Sequence, residues 1–302
     1  MKTEVKIGTL TLKNPVLVAS GTFGYGSEAS DFIDVSELGG IVTKSLSMNP
    51  RDGNPPPRIV ETASGMLNSI GLANVGVRSF INDKLPYLVK LGTSVIANIA
   101  ASSIEEYCAV LSILEEREGI DAYEINVSCP NVKDGGLSFG QRCDRTAEVT
   151  RMTRKLTRKP LIIKLTPNVA HISEFARAVA DEGADAVSLI NTVVGLAIDI
   201  RTRRPKLSTI TGGLSGPAIK PIALAKIYEV SKAVSIPIIG MGGIMTADDA
   251  IEFFLAGSTA IQVGTANFVN PSAAIEIKNG IVDYCLRHSI ESIDNLKRSL
   301  LV

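Results

Sequence analysis

The 302-residue chain has no excess of charge of either sign: 31 Lys and Arg balance 31 Asp and Glu, for a formal net charge of zero. Binding to nucleic acid or to an anionic membrane surface needs a strong basic field, so this balance supports neither partner. The N-terminal MKTEVKIGTL lacks the apolar core of a secretory signal. No stretch reaches the roughly 18 uncharged apolar residues of a membrane-crossing helix. A cytoplasmic location is the expectation. Cysteine is scarce, and Cys108, Cys129, Cys143 and Cys285 contain no CxxC pair. A chain of this length with 45% apolar residues builds its core without disulfide staples. The only histidines, His171 and His288, lie far in sequence from any pair of cysteines. That argues against a structural zinc site and leaves little for a Ser-His-Asp triad. No metal is expected.

What the sequence does have is an alternation. β-branched runs begin near Pro15, Gly40, Ser94, Ala122, Leu161, Ala186, Pro237 and Ala260, each about five or six residues, the usual length of a strand. Most are apolar nearly throughout, as parallel strands covered on both faces should be. Helical spacing follows over Ser103 to Glu118, Ile172 to Glu182, Ala218 to Ala233, Ala247 to Ala256 and Ser272 to Arg287. Ser103 and Thr246, each followed by acidic residues, are the expected N-caps. Gly183 and Gly257 stand where helices should stop. Eight such units predict an α/β fold, a (β/α)8 TIM barrel, rather than an open doubly wound sheet. Outside the alternation, VKIGTLTLKN predicts an N-terminal hairpin turning at Gly8-Thr9. Residues 46–75, with Pro55-Pro56-Pro57, form a long insertion of the kind that tends to serve function. With no linker in evidence, residues 1–302 are expected to form a single domain.

The active site of such a barrel is built at the carboxyl ends of its strands. Here those ends read Ala19-Ser20-Gly21, Lys44-Ser45, Asn98, then Asn126 with Ser128-Cys129-Pro130-Asn131. They continue with Lys164, Asn191-Thr192, Gly240-Met241-Gly242-Gly243 and Gly264-Thr265. Polarity at strand ends is common and accounts for the serines, but poorly for two lysines and several asparagines. Glycine pairs after strands 7 and 8 let backbone N–H groups approach an anion, and the helix that follows adds its dipole. Gly212-Gly213-Leu214-Ser215-Gly216 offers a third set of donors. One glycine pair would be a tight turn; three clusters on one rim predict a phosphate-bearing ligand. GMGG does not match GxGxxG, so a Rossmann site is excluded.

Lys44 and Lys164 have two readings: Schiff-base formation if burial lowers the amine's pKa, or stabilisation of an anion. Asparagines without a neighbouring carboxylate favour the second, with a polar ring or delocalised anion as ligand. Cys129 stands on the rim before Lys133-Asp134-Gly135-Gly136, a polar stretch read as a lid. A rim thiol can act as base or nucleophile, and with no histidine beside it in sequence the base is the better reading. A buried inert thiol is the commoner fate, and Cys108, Cys143 and Cys285, in expected helices, take it.

The segments NPVLVASGTFGYG, TKSLS, NSIGL, INVSCPNVKDGG, IIKLTPN, INT, TGGLSGPAIKP, GMGGI and VGTA run in order from about Asn14 to Ala266. Together they resemble the class 1 dihydroorotate dehydrogenases. The resemblance implies an enzyme with one FMN per chain that oxidises dihydroorotate to orotate in pyrimidine (UMP) biosynthesis. Cys129 matches the family's catalytic base, which removes the C5 proton while hydride passes from C6 to the flavin. The resemblance puts the substrate on Lys44, Asn68, Ile70, Gly71, Leu72, Asn126, Asn131, Asn191 and Thr192. It puts FMN on Ala19, Ser20, Gly21, Lys44, Ser45, Asn98, Asn126, Lys164, Ile190, Ser215, Gly216, Gly242, Gly243, Gly264 and Thr265.

ASGTFGYG and SCPNVKDGG are most similar to the NAD-linked 1B subgroup. That implies a partner subunit carrying FAD and a [2Fe-2S] cluster, in a heterotetramer built on a homodimer. The alternatives are the fumarate-linked 1A subgroup and a dihydropyrimidine dehydrogenase-type flavoenzyme. An aldolase using Lys164 and a non-catalytic barrel are the competing classes. Ala73 and Val75 depart from the Gln and Pro that the resemblance leads one to expect.

Overall fold

A computed structural model describes residues 1–128 and 139–301. Cys129, Asn131 and the 133–136 stretch read as a lid lie outside the described residues. The chain opens with the antiparallel hairpin β1 (Val5–Ile7) and β2 (Leu10–Leu12). Gly8 turns it at φ +58, a left-handed conformation that glycine enters without steric cost.

Two barrel strands follow, β3 (Val16–Val18) and β4 (Gly40–Val42), and then two strands of the first insertion, β5 (Ile59–Thr62) and β6 (Gly65–Asn68). The barrel continues with β7 (Ser94–Ile99), β8 (Ala122–Asn126), β9 (Leu161–Lys164) and β10 (Ala186–Leu189). A second insertion carries β11 (Val193–Leu196), β12 (Ile198–Asp199), β13 (Arg204–Pro205) and β14 (Thr211–Ser215). β15 (Ile238–Met241) and β16 (Ala260–Val263) complete the barrel. Its order is β3-β4-β7-β8-β9-β10-β15-β16, closing from β16 onto β3, with every neighbouring pair parallel. The eight expected strands are therefore the eight observed ones.

Short helical turns α1 (Gly76–Ser79) and α2 (Leu85–Leu88) follow β6. The longer helices are α3 (Ile104–Glu115), α4 (Cys143–Arg154), α5 (Ile172–Asp181), α6 (Lys220–Ser231) and α7 (Ala247–Ala256). The short α8 (Ala266–Val269) and α9 (Ala273–Arg287) come last. Ser103 accepts from the Glu106 N–H at 3.1 Å, and Thr246 forms a reciprocal capping box with Asp249. Each such cap is worth about 1 kcal/mol. Gly183 (φ +90) and Gly257 (φ +130) stop α5 and α7 in conformations closed to other residues.

All residues of β3, β4, β8, β9, β10, β15 and β16 are buried, because helices cover the outside and side chains fill the inside. The long insertion of residues 46–75 pairs with the segment that follows β10. β5, β6, β14 and β11 form a four-stranded sheet in the order β11-β14-β6-β5. Gly212 and Gly213, expected to donate to an anion, are strand residues whose backbones serve these ladders. Gly213 lies opposite Val194 on one side and Asn68 on the other. Their lack of a side chain serves packing: a Cβ at Gly213 would overlap the Thr192 hydroxyl, and one at Gly212 would come within 2.7 Å of the Asn68 carbonyl oxygen.

Candidate active site at the carboxyl end of the barrel

β8 carries two polar residues at alternate positions, and strand geometry sends both to the same face. Tyr123 points outward, its hydroxyl 2.6 Å from Glu115 Oε2 on α3. Glu124 points into the barrel. It is fully buried and accepts from Asn98 Nδ2 (2.6 Å), Ser188 Oγ (2.8 Å) and Gln262 Nε2 (2.6 Å). Lys164, at the end of β9, places Nζ 3.7 Å from Glu124 Oε1 and 3.4 Å from Ser20 Oγ. The expectation that these polar residues have no carboxylate neighbour is therefore corrected: Glu124 is that neighbour. An ion-paired lysine is placed to stabilise charge, whereas a Schiff base needs a free amine.

Above this floor Asn126 continues the same face of β8. Its Oδ1 accepts from the Ser128 N–H (3.2 Å) and from Asn191 Nδ2 (3.3 Å), while Tyr107 donates to its carbonyl at 2.7 Å. Asn191 Oδ1 in turn accepts from the Thr192 N–H at 2.7 Å. Asn168, which sequence reasoning passed over, fixes the following residues. Its Nδ2 donates to the Thr192 carbonyl at 3.0 Å and its Oδ1 accepts from the Val194 N–H at 3.1 Å. Its signal was present in IIKLTPN, where a polar residue follows the end of β9 by four positions.

From the first insertion, Asn68 donates to the Gly213 carbonyl at 3.3 Å, which joins β6 to β14. The Ile70 carbonyl accepts from the Asn54 N–H at 3.0 Å, and Gly71 and Leu72 both take left-handed conformations (φ +73 and +58). Asn74, also passed over, holds this turn. It donates to Ser47 Oγ (2.8 Å) and to the Leu72 carbonyl (2.7 Å), and accepts from the Gly76 N–H (2.8 Å). These bonds secure the segment with Ala73 and Val75 on either side of Asn74.

Lys44 follows β4 and is half-buried. Burial, helped by the Arg58 guanidinium, holds its pKa below the ordinary lysine range. Among the described residues it has no carboxylate partner, so a bound anion would supply the missing charge. Tyr25 offers no alternative base, because burial, reinforced by Glu28 and partly offset by the Val75 N–H, pushes its hydroxyl up to about 12.

The opposite side of the rim is made of glycine backbone. Gly216, Gly242 and Gly243 have φ +95, +120 and +83. A Cβ on Gly243 would meet Lys220 N at 2.8 Å and the Gly216 carbonyl oxygen at 2.9 Å, so this part of the rim closes on itself. A Cβ on Gly264 would meet only Ala19 at 3.7 Å, and one on Gly21 would meet nothing within 4 Å. Thr265 Oγ1 donates to Ser215 Oγ at 2.8 Å. Ala19, Ser45 and Ile190 are buried, with Ala19 against Gly264 and Ile190 against Gly242. Asn98 Oδ1, Gln262 Oε1 and Ser128 Oγ are buried without a partner among the described residues. Buried polar atoms are rarely left so, and the first two belong to residues that both donate to Glu124.

The profile of the family described as "Dihydroorotate dehydrogenase" matches residues 2–284. The "Dihydroorotate dehydrogenase B (NAD(+)), catalytic subunit" of Geotalea daltonii is 53% identical over 299 residues, 99% of this chain and 98% of that protein. Proteins of the same description from Bacteroides thetaiotaomicron and Thermoanaerobacter pseudethanolicus are each 51% identical, over 99% and 100% of this chain and the same shares of their own lengths.

Proposed function

Because this chain belongs to the dihydroorotate dehydrogenase family, we propose that it oxidises dihydroorotate to orotate with FMN, as the NAD-linked catalytic subunit of pyrimidine biosynthesis. The observation that carries the reading is the buried Lys164 beside Ser20 and Glu124, next to the unpartnered Asn98 Oδ1. A polar ring system that gains negative charge on reduction suits that setting, and FMN has one.

The residues present fit this cofactor. Lys164, Asn98, Asn126 and Ser20 offer a cation, amides and a hydroxyl to its ring and ribityl chain. Ala19, Gly21, Lys44, Ser45 and Ile190 would flank it. The open backbone at Gly264, with Ser215, Gly216, Gly242, Gly243 and Thr265, would take its phosphate. When bound, FMN supplies the two-electron acceptor for the oxidation.

The chain's own residues do the rest. Lys44 faces the substrate carboxylate and gains its missing counter-charge there. Asn68, Asn126 and Asn191 meet the imide edges of the ring, with Thr192 and the Ile70-Gly71-Leu72 turn completing the pocket. Cys129 removes the C5 proton, and Asn131, two residues on in sequence, joins the substrate contacts; both lie outside the described residues, and their roles rest on the family resemblance of SCPN.

The relatives are described as catalytic subunits linked to NAD(+), which supports a partner subunit bearing FAD and a [2Fe-2S] cluster. A heterotetramer built on a homodimer, with residues 1–302 acting as one FMN-binding domain in the cytoplasm, completes the reading. No helix among the described residues is long and apolar enough to cross a membrane. Calorimetry of the FMN-loaded chain with orotate and with uracil tests the substrate. Binding of orotate alone fits this reading, whereas equal binding of uracil would point to a dihydropyrimidine dehydrogenase-type enzyme.

A further inference from the structure

Glu124 takes no part in the chemistry just described, yet the barrel floor converges on it. Its Oε1 accepts from Asn98 and faces Lys164, and its Oε2 accepts from Ser188 and Gln262. Side chains from β7, β9, β10 and β16 thus meet on one fully buried carboxylate. The interior of such a barrel is ordinarily filled by branched apolar side chains. Replacing a buried ion pair with apolar residues is often neutral or stabilising, so folding alone does not require this arrangement.

Two further atoms say what it is for. Asn98 Oδ1 and Gln262 Oε1 are both buried without a partner among the described residues. An ionised carboxylate accepts hydrogen bonds and donates none, so each amide must turn its N–H to Glu124 and its oxygen away.

We propose that Glu124 is a positioning residue for the flavin site: it holds Asn98 and Lys164 in one arrangement and offsets the lysine's charge, keeping the flavin's reduction potential lower than Lys164 alone would set it. This rests on the FMN reading above. A buried cation next to the ring favours the reduced, anionic flavin, and Glu124 opposes that preference. In Glu124→Gln the ammonium loses its partner and draws its counter-charge from the reduced flavin instead, so the potential rises.

The test is an equilibrium redox titration of the FMN-loaded protein against a dye, together with FMN binding to the stripped protein. Glu124→Gln is expected to shift the two-electron equilibrium toward reduced flavin by at least tenfold, about 30 mV, and to weaken binding of oxidised FMN. In a Lys164→Met background the same substitution should move the potential far less, because the effect passes through Lys164. Weakened FMN binding with an unmoved potential would mean a structural role only and would overturn the proposal. Glu124→Asp keeps the charge and should keep a near-wild-type potential; a tenfold positive shift in that variant would overturn the proposal even if Glu124→Gln failed to fold. A wild-type chain that takes up no FMN defeats the flavin reading itself, and this inference with it. A flavin-loaded wild type whose Glu124→Gln variant titrates identically defeats this inference alone.

Discussion

Asn191 Nδ2 lies 3.3 Å from Asn126 Oδ1 and joins the end of β8 to the segment that follows β10. The same Oδ1 also accepts from the Ser128 N–H, so the acceptor of Asn126 is already engaged by the protein. Its amide N–H groups have no partner among the described residues and are available to a ligand oxygen. Asn126→Ala should therefore weaken orotate binding by about 1–3 kcal/mol, the effect of removing a hydrogen bond and leaving a polar group unmatched. Asn126→Asp, which puts an acceptor where a donor is needed, should weaken it further. Orotate titration calorimetry on the flavin-loaded variants checks both, and unchanged affinity in Asn126→Ala would remove the residue from the substrate site.

Lys44 makes a pH prediction with a definite sign. Burial and Arg58 hold its pKa below the ordinary 10.5 in the free protein, whereas a bound carboxylate restores it. Between the free and bound values, orotate binding must take up a proton, so affinity falls as the pH rises through that window. Lys44→Met should lose at least tenfold in orotate affinity near neutral pH, about 1.4 kcal/mol, and should show no such alkaline fall. Orotate affinities measured from pH 7 to 10 in both proteins check the slope.

Cys129→Ala should retain FMN, because the groups proposed to hold the cofactor, among them Lys164, Ser20 and the glycine rim, are unchanged in that variant. Dihydroorotate oxidation should fall by about 10²–10⁴-fold, as expected for a missing general base. Stopped-flow flavin reduction separates the two effects, since binding should persist while reduction slows.

Much of this was legible in the sequence. Parallel strands covered on both faces leave continuous apolar runs, so PVLVAS, GIVTKS and the six later runs marked the whole barrel in order. Helix caps were local as well, as Ser103 and Thr246 show. Glu124 escaped because function was sought at the strand ends, and it lies inside AYEIN, two residues before Asn126. The run's period of two, with Tyr123 and Ile125 on one face and Glu124 and Asn126 on the other, held the signal. The four-stranded sheet escaped for a different reason: Asn68 and Gly213 meet across 145 positions, and no local pattern encodes a pairing at that distance. Gly212 and Gly213 consequently looked like an anion loop, although their small size serves strand packing against Thr192 and Leu207.

Acid stability should depend on Glu106, which ties the start of α3 to the segment after β4. It accepts from the Ser102 N–H and hydroxyl (both 2.8 Å), the Met48 N–H (3.3 Å) and Arg51 (3.3 Å). Burial pushes its carboxyl up, but these bonds more than offset that and hold it below the usual 4.5. A depressed carboxyl stabilises the fold above its unfolded pKa, and that contribution is lost as pH falls through the folded value. Glu106→Gln should therefore melt at a lower temperature than wild type at pH 7, and the gap should narrow below pH 4.5. Thermal melts across that range check it.

The most direct test is an anaerobic titration of the purified chain with dihydroorotate, followed through the visible flavin absorbance. The purified chain should be yellow, with a flavin band that bleaches on addition of substrate and returns when an oxidant is admitted. A chain that holds FMN yet keeps its absorbance unchanged through excess dihydroorotate would contradict the assigned reaction, and a chain unable to take up FMN at all would contradict the site.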